Sequence, residues 1–288
     1  MKPPPFEYRA PETLDEAVGL LAADPDAKPI AGGQSLMPIL NFRLAAPSML
    51  VDLQRVPGLG EIAVGANGAR LGAKVRWRDI EDDARLESAH PLLCAAVAHV
   101  AHYQIRNRGT VGGSLAHADP AAELPGIVVT CDAEIAVVGA EGRRTIPAAD
   151  FFTGPLTTLL RPDEIITELR LPPWPAGRRW AFEEFSRRQG DFALAAIALF
   201  YDEDTQGRVF DVHIGVIGAC SRPHRLTSAE AALDGRIIDE ATIAAAARAA
   251  SAAVDPPEDL HAPAEYRRAL VNTLTERALR AASQRRSA

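Results

Sequence analysis

The chain has 288 residues, 47% of them hydrophobic, and a formal net charge of −7. This length and this hydrophobic content suffice for two or three subdomains with apolar cores and exclude general disorder. The acidic balance disfavours nucleic acid as a partner, because phosphate backbones are bound by clustered lysine and arginine. No stretch approaches the roughly 18 apolar residues of a membrane span and the start lacks a secretory apolar run, so a cytoplasmic protein without a membrane span is predicted.

The first subdomain is predicted to be a small α/β unit. Thr13, with Glu16 three residues later, forms a capping box before an apolar run, which indicates a short helix. Strands are expected at 28–31 and 49–53. Pro57 and the glycines that follow it mark the end of the unit.

The second subdomain is predicted to begin with a β-hairpin. Asn67 and Gly68 separate two short alternating segments, as expected for a type I′ turn. Further along, the sequence between 106 and 125 is rich in Gly, Asn, Asp and Pro, which predicts a polar loop that leads to another helix. The remaining predicted elements are helices at 77–83 and 91–99 and strands at 134–138 and 143–147.

A linker is predicted between Pro172 and Gly177, which divides the chain into residues 1–176, with subdomains 1–57 and 58–176, and residues 177–288. After the linker, strands are expected at 193–201 and 209–217 and helices at 240–253 and 264–282. Strands followed by helices favour an α+β domain. The arginines near the end are interpreted as a solvated helix terminus: Arg277, Arg280, Arg285 and Arg286.

The three cysteines, Cys94, Cys131 and Cys220, lie far apart in the sequence. No CxxC pair or Cys/His spacing is available to hold zinc or an iron–sulfur cluster, so no metal ligand is assigned to this chain. Because each cysteine has apolar neighbours in the sequence, all three are predicted to be small buried hydrophobes.

Two glycine-rich stretches are the main candidates for a binding site: residues 31–35, directly after a predicted strand, and residues 110–114. Paired glycines tolerate positive φ and have no Cβ, so that backbone N–H groups can converge on an anion such as a diphosphate. Ser35, Thr110 and Ser114 would add hydroxyl donors, and Gln34 an amide donor. Each stretch alone is also typical of an ordinary turn, and neither matches GxGxxG or the Walker A pattern.

The polar segment around the second stretch strengthens the binding interpretation. Asp119 and Glu123 suit ligand hydroxyl groups, as ionised acceptors of hydrogen bonds. The alternative is that Asp119 caps a helix with Pro120 at its first position. His117 is either a proton relay, a ligand contact or a structural residue. Tyr103 and Phe192 either stack on a ligand or pack in the core. Arg106 and Arg108 either bind phosphate, solvate the loop or form an intersubunit salt bridge.

The motifs resemble those of a known family. AGGQSLMP (31–38) and QIRNRGTVGGSLAHADPAAELP (104–125) look like the FAD-binding, or medium, subunits of the xanthine dehydrogenase and carbon monoxide dehydrogenase group of molybdenum hydroxylases. The resemblance continues through LRPDEII (160–166) to FSRRQGDFALA (185–195) and covers most of the chain. It departs from the family near residue 183, where relatives have a lysine and this sequence has Glu183 and Glu184.

The resemblance implies an α+β protein in which a two-part FAD-binding domain of the PCMH type is followed by an α+β C-terminal domain of the CO dehydrogenase flavoprotein type. The diphosphate would lie between the two glycine-rich stretches, Asp119 and Glu123 near ribityl or ribose hydroxyls, Ile166 near adenine and 187–192 near the flavin ring. The residues predicted to bind FAD are Ala31, Gly32, Gly33, Gln34, Ser35, Pro38, Thr110, Gly112, Gly113, Ser114, His117, Asp119, Glu123, Ile166 and Phe192.

The function implied by the resemblance is that of an oxidoreductase component. The chain would carry FAD and pass electrons from partner iron–sulfur clusters to an external acceptor, while the substrate is oxidised at molybdenum in another subunit. The implied partners are a small subunit with [2Fe–2S] clusters and a large subunit with the molybdenum cofactor, arranged as a dimer of heterotrimers. A non-catalytic flavin-binding or assembly protein and a stand-alone FAD-dependent oxidoreductase are the alternatives.

Overall fold

The computed structural model describes residues 2–285, which form fourteen strands and twelve α-helices. The strands are β1 Glu7–Arg9, β2 Lys28–Ile30, β3 Met49–Asp52, β4 Ile62–Gly65, β5 Gly68–Gly72, β6 Glu134–Gly139, β7 Gly142–Pro147, β8 Phe152–Gly154, β9 Thr157–Thr158, β10 Ile165–Leu171, β11 Arg179–Phe185, β12 Ala195–Glu203, β13 Val209–Ile217 and β14 His224–Arg225. The helices are α1 Leu14–Ala23, α2 Leu36–Asn41, α3 Trp77–Asp82, α4 Ala84–Ala89, α5 Pro91–Val97, α6 Tyr103–Arg106, α7 Val111–His117, α8 Glu123–Thr130, α9 Ala148–Phe151, α10 Thr227–Leu233, α11 Glu240–Ala252 and α12 Ala264–Gln284.

The N-terminal unit is a parallel sheet of order β1-β3-β2 with α1. The sequence predicted α1, β2 and β3 but not β1. The Thr13 hydroxyl accepts the Glu16 N–H at 3.1 Å and so caps α1. The Glu16 carboxylate accepts the N–H of Glu12, one residue before the expected partner in a capping box. This unit packs on Val138 and Ile165 of the next sheet, which fixes its position on the rest of the chain.

The second unit contains an antiparallel sheet of order β4-β5-β10-β6-β7. The predicted hairpin is present, but its register differs by one residue. Gly65 pairs with Gly68, so the loop is Ala66–Asn67 and Gly68 begins β5 with a φ of 99°. The type I′ assignment to Asn67 and Gly68 was therefore wrong. The central strand β10 was not predicted, because its local sequence is short and mixes charged with apolar residues.

The C-terminal sheet has the order β11-β12-β13-β14. One face packs on the second unit and the other on α10–α12, so the strands β12 and β13 are almost wholly buried. Helix α8 lies directly on β13: a Cβ on Gly126 would stand 2.1 Å from Ile217, and one on Gly215 would stand 1.8 Å from the Thr130 hydroxyl. The predicted strands and the two long helices are confirmed, whereas β11 was missed.

The burial of the three cysteines determines the protonation state of their thiols. Cys131 and Cys220 are buried, as the sequence predicted, whereas Cys94 is only partly buried. Burial raises the pKa of the Cys94 thiol to about 11 and that of Cys220 to about 12, and it raises the pKa of Cys131 as well. All three thiols are therefore neutral near pH 7.

The arginines at the end of α12 have structural partners. Arg280 forms ion pairs with Glu240 and Glu276, and the Arg285 guanidinium lies 3.6 Å from the centroid of the Trp180 ring. These contacts join α12 to α11 and β11, which a freely solvated helix end would not do. Arg286 lies outside the described residues. Among helices of the described chain, none is both long and apolar enough to cross a membrane.

Candidate cofactor site

The first glycine-rich stretch contacts the residues that directly precede the second. A Cβ built on Gly32 would stand 2.1 Å from the carbonyl oxygen of Arg108 and 3.1 Å from Cα of Gly109. Only glycine permits this approach of two main chains. The tertiary structure thus brings together the two segments that the sequence separates by about 75 residues, as the resemblance implied.

The first glycine-rich stretch, residues 31–35, forms a bend with backbone N–H groups that donate no hydrogen bond in the described structure. Gly33 has a φ of +69°, which favours glycine, and the backbone then enters the short helix α2. Within the described chain, the N–H groups of residues 33–36 have no acceptor. The bend therefore offers main-chain donors that could neutralise part of a diphosphate charge without a lysine.

The side chains around this bend differ in their contacts. The Gln34 amide donates to the carbonyl of Gly32 at 2.9 Å, so it stiffens the bend. Ser35 is the residue before α2 and makes no capping hydrogen bond, which leaves its hydroxyl available. Pro38 lies within α2 and is exposed. The carbonyl of Ala31 accepts a hydrogen bond from Gln54 at 3.1 Å.

The second stretch is the start of a helix and not a turn. Thr110 is the N-cap of α7, and its hydroxyl accepts the N–H of Gly113 at 3.1 Å. The Gly112 N–H donates to Ala73 at 2.8 Å, and the Ser114 N–H donates to Thr110 at 3.0 Å. In the described structure these three amides are therefore engaged, while the N–H of Thr110 has no acceptor. Binding through Gly112 and Gly113 stays a prediction.

The glycine at position 112 is required by packing. A Cβ there would stand 2.6 Å from Cβ of Ala73, whereas one at Gly113 would meet only the Thr110 hydroxyl, at 2.8 Å. Gly112 is buried, and Gly113 is exposed. The two glycines that look equivalent in the sequence thus face different surroundings.

The segment after α7 is a tight turn. Ala118 ends α7 in the left-handed region with φ 53°, and half-buried His117 is the last residue of the helix. The Asp119 carboxylate accepts the N–H of Ala121 at 2.9 Å, while α8 begins only at Glu123. The expectation that a helix starts at Pro120 was wrong, because Asp119 closes a turn before the helix.

The loop within the stretch FSRRQGDFALA (185–195) lies against the residues that directly precede the 104–125 stretch. Gly190 has a φ of +85°, and a Cβ there would stand 2.5 Å from the His102 ring and 2.8 Å from the carbonyl of Ala101. The loop 186–192 therefore packs on the residues that lead into α6. Phe192 is 60% exposed and Tyr103 is 55% exposed, so both rings have free surface near this junction.

Two further residues that were considered as ligand contacts have structural roles. Ile166 is buried in the core of the second unit and offers a ligand little side-chain surface. The Arg106 guanidinium donates to the carbonyls of Val100 and Ala101, at 3.0 Å each, and forms an ion pair with Glu81. Arg106 thus holds the turn before α6, whereas the contact of Ile166 with adenine stays a prediction.

Glu123 is buried together with a second carboxyl group that the sequence did not single out. It is 5% exposed, and burial raises its pKa to about 8, with the nearby charge of Glu184 as the next cause. The Glu184 side chain is 2% exposed and lies 3.7 Å from Nδ1 of His99. Glu123 is therefore mostly protonated at pH 7 and can donate a hydrogen bond, which corrects the expectation of an ionised acceptor.

The raised pKa of Glu123 predicts how stability depends on pH. The ordinary pKa is 4.5 and the folded value about 8, so between these values the folded chain holds one proton more than the unfolded chain. The free energy of unfolding should then fall as the pH rises through this window, by at most about 5 kcal/mol. Urea unfolding at several pH values measures it, and E123Q should flatten the curve; an unchanged curve in E123Q would contradict the assignment.

The close contact of Gly32 with Arg108 and Gly109, beside N–H groups that have no acceptor in the described structure, is typical of a dinucleotide-binding protein. This donor set fits FAD, whose diphosphate needs N–H donors and whose ring system needs apolar and aromatic surface. Between residues 2 and 285, no three His, Cys, Asp or Glu side chains cluster so that they could hold a metal ion.

Comparison with known proteins agrees with this class. Residues 4–174 match the family described as the FAD binding domain in molybdopterin dehydrogenase, and residues 180–282 match the CO dehydrogenase flavoprotein C-terminal domain. The chain is 42% identical over 286 residues to the 6-hydroxypseudooxynicotine dehydrogenase complex subunit alpha of Paenarthrobacter nicotinovorans, covering 99% of this chain and 97% of that protein.

Solved structures show the same fold. The carbon monoxide dehydrogenase of Hydrogenophaga pseudoflava matches with a TM-score of 0.95 and 38% identity over 98% of this chain and 99% of that one. Quinoline 2-oxidoreductase of Pseudomonas putida 86 matches with a TM-score of 0.94 and 40% identity over 99% of each chain. The chain therefore belongs to the FAD-binding medium subunits of the molybdenum hydroxylase family, which are oxidoreductase components with FAD as their cofactor.

Proposed function

We propose that this chain is the electron-transfer subunit of a heteromeric molybdenum hydroxylase, in which it accepts electrons from partner iron–sulfur clusters and passes them through FAD to an external acceptor. The observation that carries the proposal is the direct contact of Gly32 with Arg108–Gly109, because it unites two donor segments at one place. Two relatives whose names describe a subunit or chain of a dehydrogenase match over 97% and 98% of their length and support the same role.

FAD, when bound, supplies the redox chemistry, and the chain's residues hold and surround it. The free N–H groups of residues 33–36 and of Thr110 would donate to the diphosphate. The hydroxyl of Ser35, the carboxylate of Asp119 and the protonated carboxyl of Glu123 would hold hydroxyl groups of the ligand. The exposed ring of Phe192 would cover the flavin on the side of the C-terminal sheet.

The proposal includes a defined assembly. A small subunit would hold [2Fe–2S] clusters and a large subunit the molybdenum cofactor, as a dimer of heterotrimers in the cytoplasm. Relatives named as medium or alpha subunits support a multi-subunit enzyme. We also propose that the FAD-binding domain ends near residue 176, although the buried side chains on both sides of this boundary form one continuous cluster.

Purification of the chain alone tests the proposal. We expect a yellow protein that releases FAD on denaturation and oxidises neither carbon monoxide nor N-heteroaromatic compounds. Addition of the two partner subunits should restore electron flow from substrate to an artificial acceptor. Flavin reduction by the reduced iron–sulfur subunit alone, without the molybdenum subunit, would isolate the step that we assign to this chain.

Each other outcome selects another function. Substrate turnover by the isolated chain would show a stand-alone oxidoreductase. Bound FAD that no partner can reduce would show a flavin-binding or assembly protein. A chain that cannot be loaded with FAD would overturn the proposal completely.

A further inference from the structure

The segment between β5 and α3, residues 73–76, is bonded to both sides of the candidate cofactor site. Its main chain is anchored in the protein, because the N–H of Ala73 donates to the carbonyl of Thr167 at 3.0 Å and the N–H of Lys74 donates to that of Leu59 at 2.6 Å. This linking segment therefore has a fixed position beside the five-stranded sheet, although it lies outside the helices and strands.

The main chain of the linking segment holds the second glycine-rich stretch. The carbonyl of Ala73 accepts the N–H of Gly112 at 2.8 Å, and the carbonyl of Val75 accepts the N–H of Val111 at 2.9 Å. Both donors lie in the first turn of α7. These two bonds fix the position of Thr110, the N-cap of α7, whose N–H has no acceptor in the described structure.

The side chain of Lys74 holds the first glycine-rich stretch through one intermediate residue. Its Nζ donates to the carbonyls of Gln54 and Val56, at 2.9 and 2.6 Å. The Gln54 side-chain amide donates in turn to the carbonyl of Ala31 at 3.1 Å. Because Ala31 opens the bend at 31–35, this series of hydrogen bonds ties the bend to the linking segment.

The two connections meet at one residue, and Lys74 spans the boundary between two units. Gln54 and Val56 belong to the N-terminal unit, which carries the bend, whereas Lys74 belongs to the second unit, which carries α7. The free N–H groups of the two stretches converge only while the units keep one relative position. An ammonium group suits this task, because it has three N–H donors and can bond two carbonyls at once.

We propose that Lys74 is a positioning residue for FAD, which sets the spacing of the two glycine-rich stretches so that their free N–H groups converge on one diphosphate. The inference rests on the proposed function, because it requires FAD at this junction. It adds a side chain that acts through carbonyls of the chain itself. Lys74 lies outside both glycine-rich stretches, so neither of them indicates its role.

The test compares K74M, K74R and Q54A in the full chain, with K28M as the matched control. Methionine keeps the unbranched shape of lysine but removes its donors, whereas arginine supplies donors again. Lys28 is exposed on β2, the strand that leads into the bend, so K28M removes the same charge without the bonds to Gln54 and Val56. Each apo-protein is titrated with FAD, phosphorus NMR records the bound diphosphate, and urea unfolding of the apo-protein measures stability separately.

We expect K74M to weaken FAD binding about tenfold, which corresponds to about 1.4 kcal/mol, and to shift the phosphorus signals of the bound diphosphate. K74R should recover most of the affinity and the wild-type signals. Q54A should weaken binding by about threefold only, because its bond to Ala31 is exposed to solvent. K74M and Q54A interrupt the same series of bonds, so the double variant should bind more tightly than the product of the two single effects predicts. K28M should match wild type in both readouts.

Unchanged FAD affinity and unchanged phosphorus signals in K74M, even with lower stability in urea, would overturn the inference, since Lys74 would then have a structural role alone. Equal weakening by K74M and K28M would overturn it too, because the effect would then come from net charge. If K74M fails to fold, Q54A carries the test, and wild-type affinity in Q54A would contradict the proposed connection. In all these cases wild type still binds FAD; failure of wild type to bind FAD would instead overturn the proposed function.

Discussion

Replacement of Gly32 by valine should weaken FAD binding by at least about 100-fold, which corresponds to about 2.7 kcal/mol. The new Cβ would stand 2.1 Å from the carbonyl oxygen and 2.9 Å from the carbonyl carbon of Arg108. Since both are backbone atoms, no side-chain rotation can relieve the overlap, and the two segments must move apart. The donors of residues 33–36 and of Thr110 would then no longer converge. Titration of the apo-protein with FAD, followed by flavin fluorescence, measures the effect.

The control is Gly60→Val, because a Cβ at Gly60 has nothing within 4 Å. We expect this variant to bind FAD as wild type does and to change stability by less than about 0.5 kcal/mol. Gly113→Ala should have an intermediate effect, since its Cβ would meet only the Thr110 hydroxyl. Normal FAD affinity in the Gly32 variant would show that the contact between the two segments does not form the site.

The Arg267→Ala variant should lower the free energy of unfolding by about 3–5 kcal/mol. Arg267 is 4% exposed and lies on α12. Its guanidinium donates to the carbonyls of Leu194 and Gly218, at 2.7 and 3.0 Å, and to Asp259 at 2.8 Å. Alanine would leave these buried carbonyls without a donor. Because the N–H of Gly218 donates to the carbonyl of Pro120 at 2.9 Å, loss of Arg267 should also loosen the turn before α8.

Arg268 provides the matched comparison on the same helix. Its side chain is 43% exposed, and its partner Asp255 is fully exposed, so Arg268→Ala should change the free energy of unfolding by less than about 0.5 kcal/mol. Urea unfolding of both variants separates the two cases. Equal midpoints for the two variants would contradict the structural role of Arg267.

Local signals predicted much of the secondary structure. The cap at Thr13 predicted α1, and the apolar strands β12 and β13 and the alanine-rich helices α11 and α12 appeared within a few residues of their predicted ends. Strands β10 and β11 were missed. β10 is held between β5 and β6, and β11 lies beside β12, so their extended conformation depends on neighbours that are distant in the sequence.

The roles of particular site residues were less predictable. Thr110–Ser114 has the composition of a turn, yet it begins a helix because Thr110 caps α7 and because Val75 and Ala73 accept the N–H groups of Val111 and Gly112. Gln34 was expected to donate to a ligand; its side-chain amide donates to the carbonyl of Gly32, and its contact with a ligand stays a prediction. Glu184 gave no sequence signal beyond its departure from the lysine of related proteins.

The sequence by itself determined the family, the two glycine-rich segments and most of the regular elements, because these depend on residue identity, capping and periodicity over short distances. The tertiary structure decided which amides are free, why Gly32 and Gly112 must lack a Cβ, and that the side chains of Glu123 and Glu184 are buried. These properties depend on distances between segments and on exclusion of water, and neither is encoded in any single stretch of the chain.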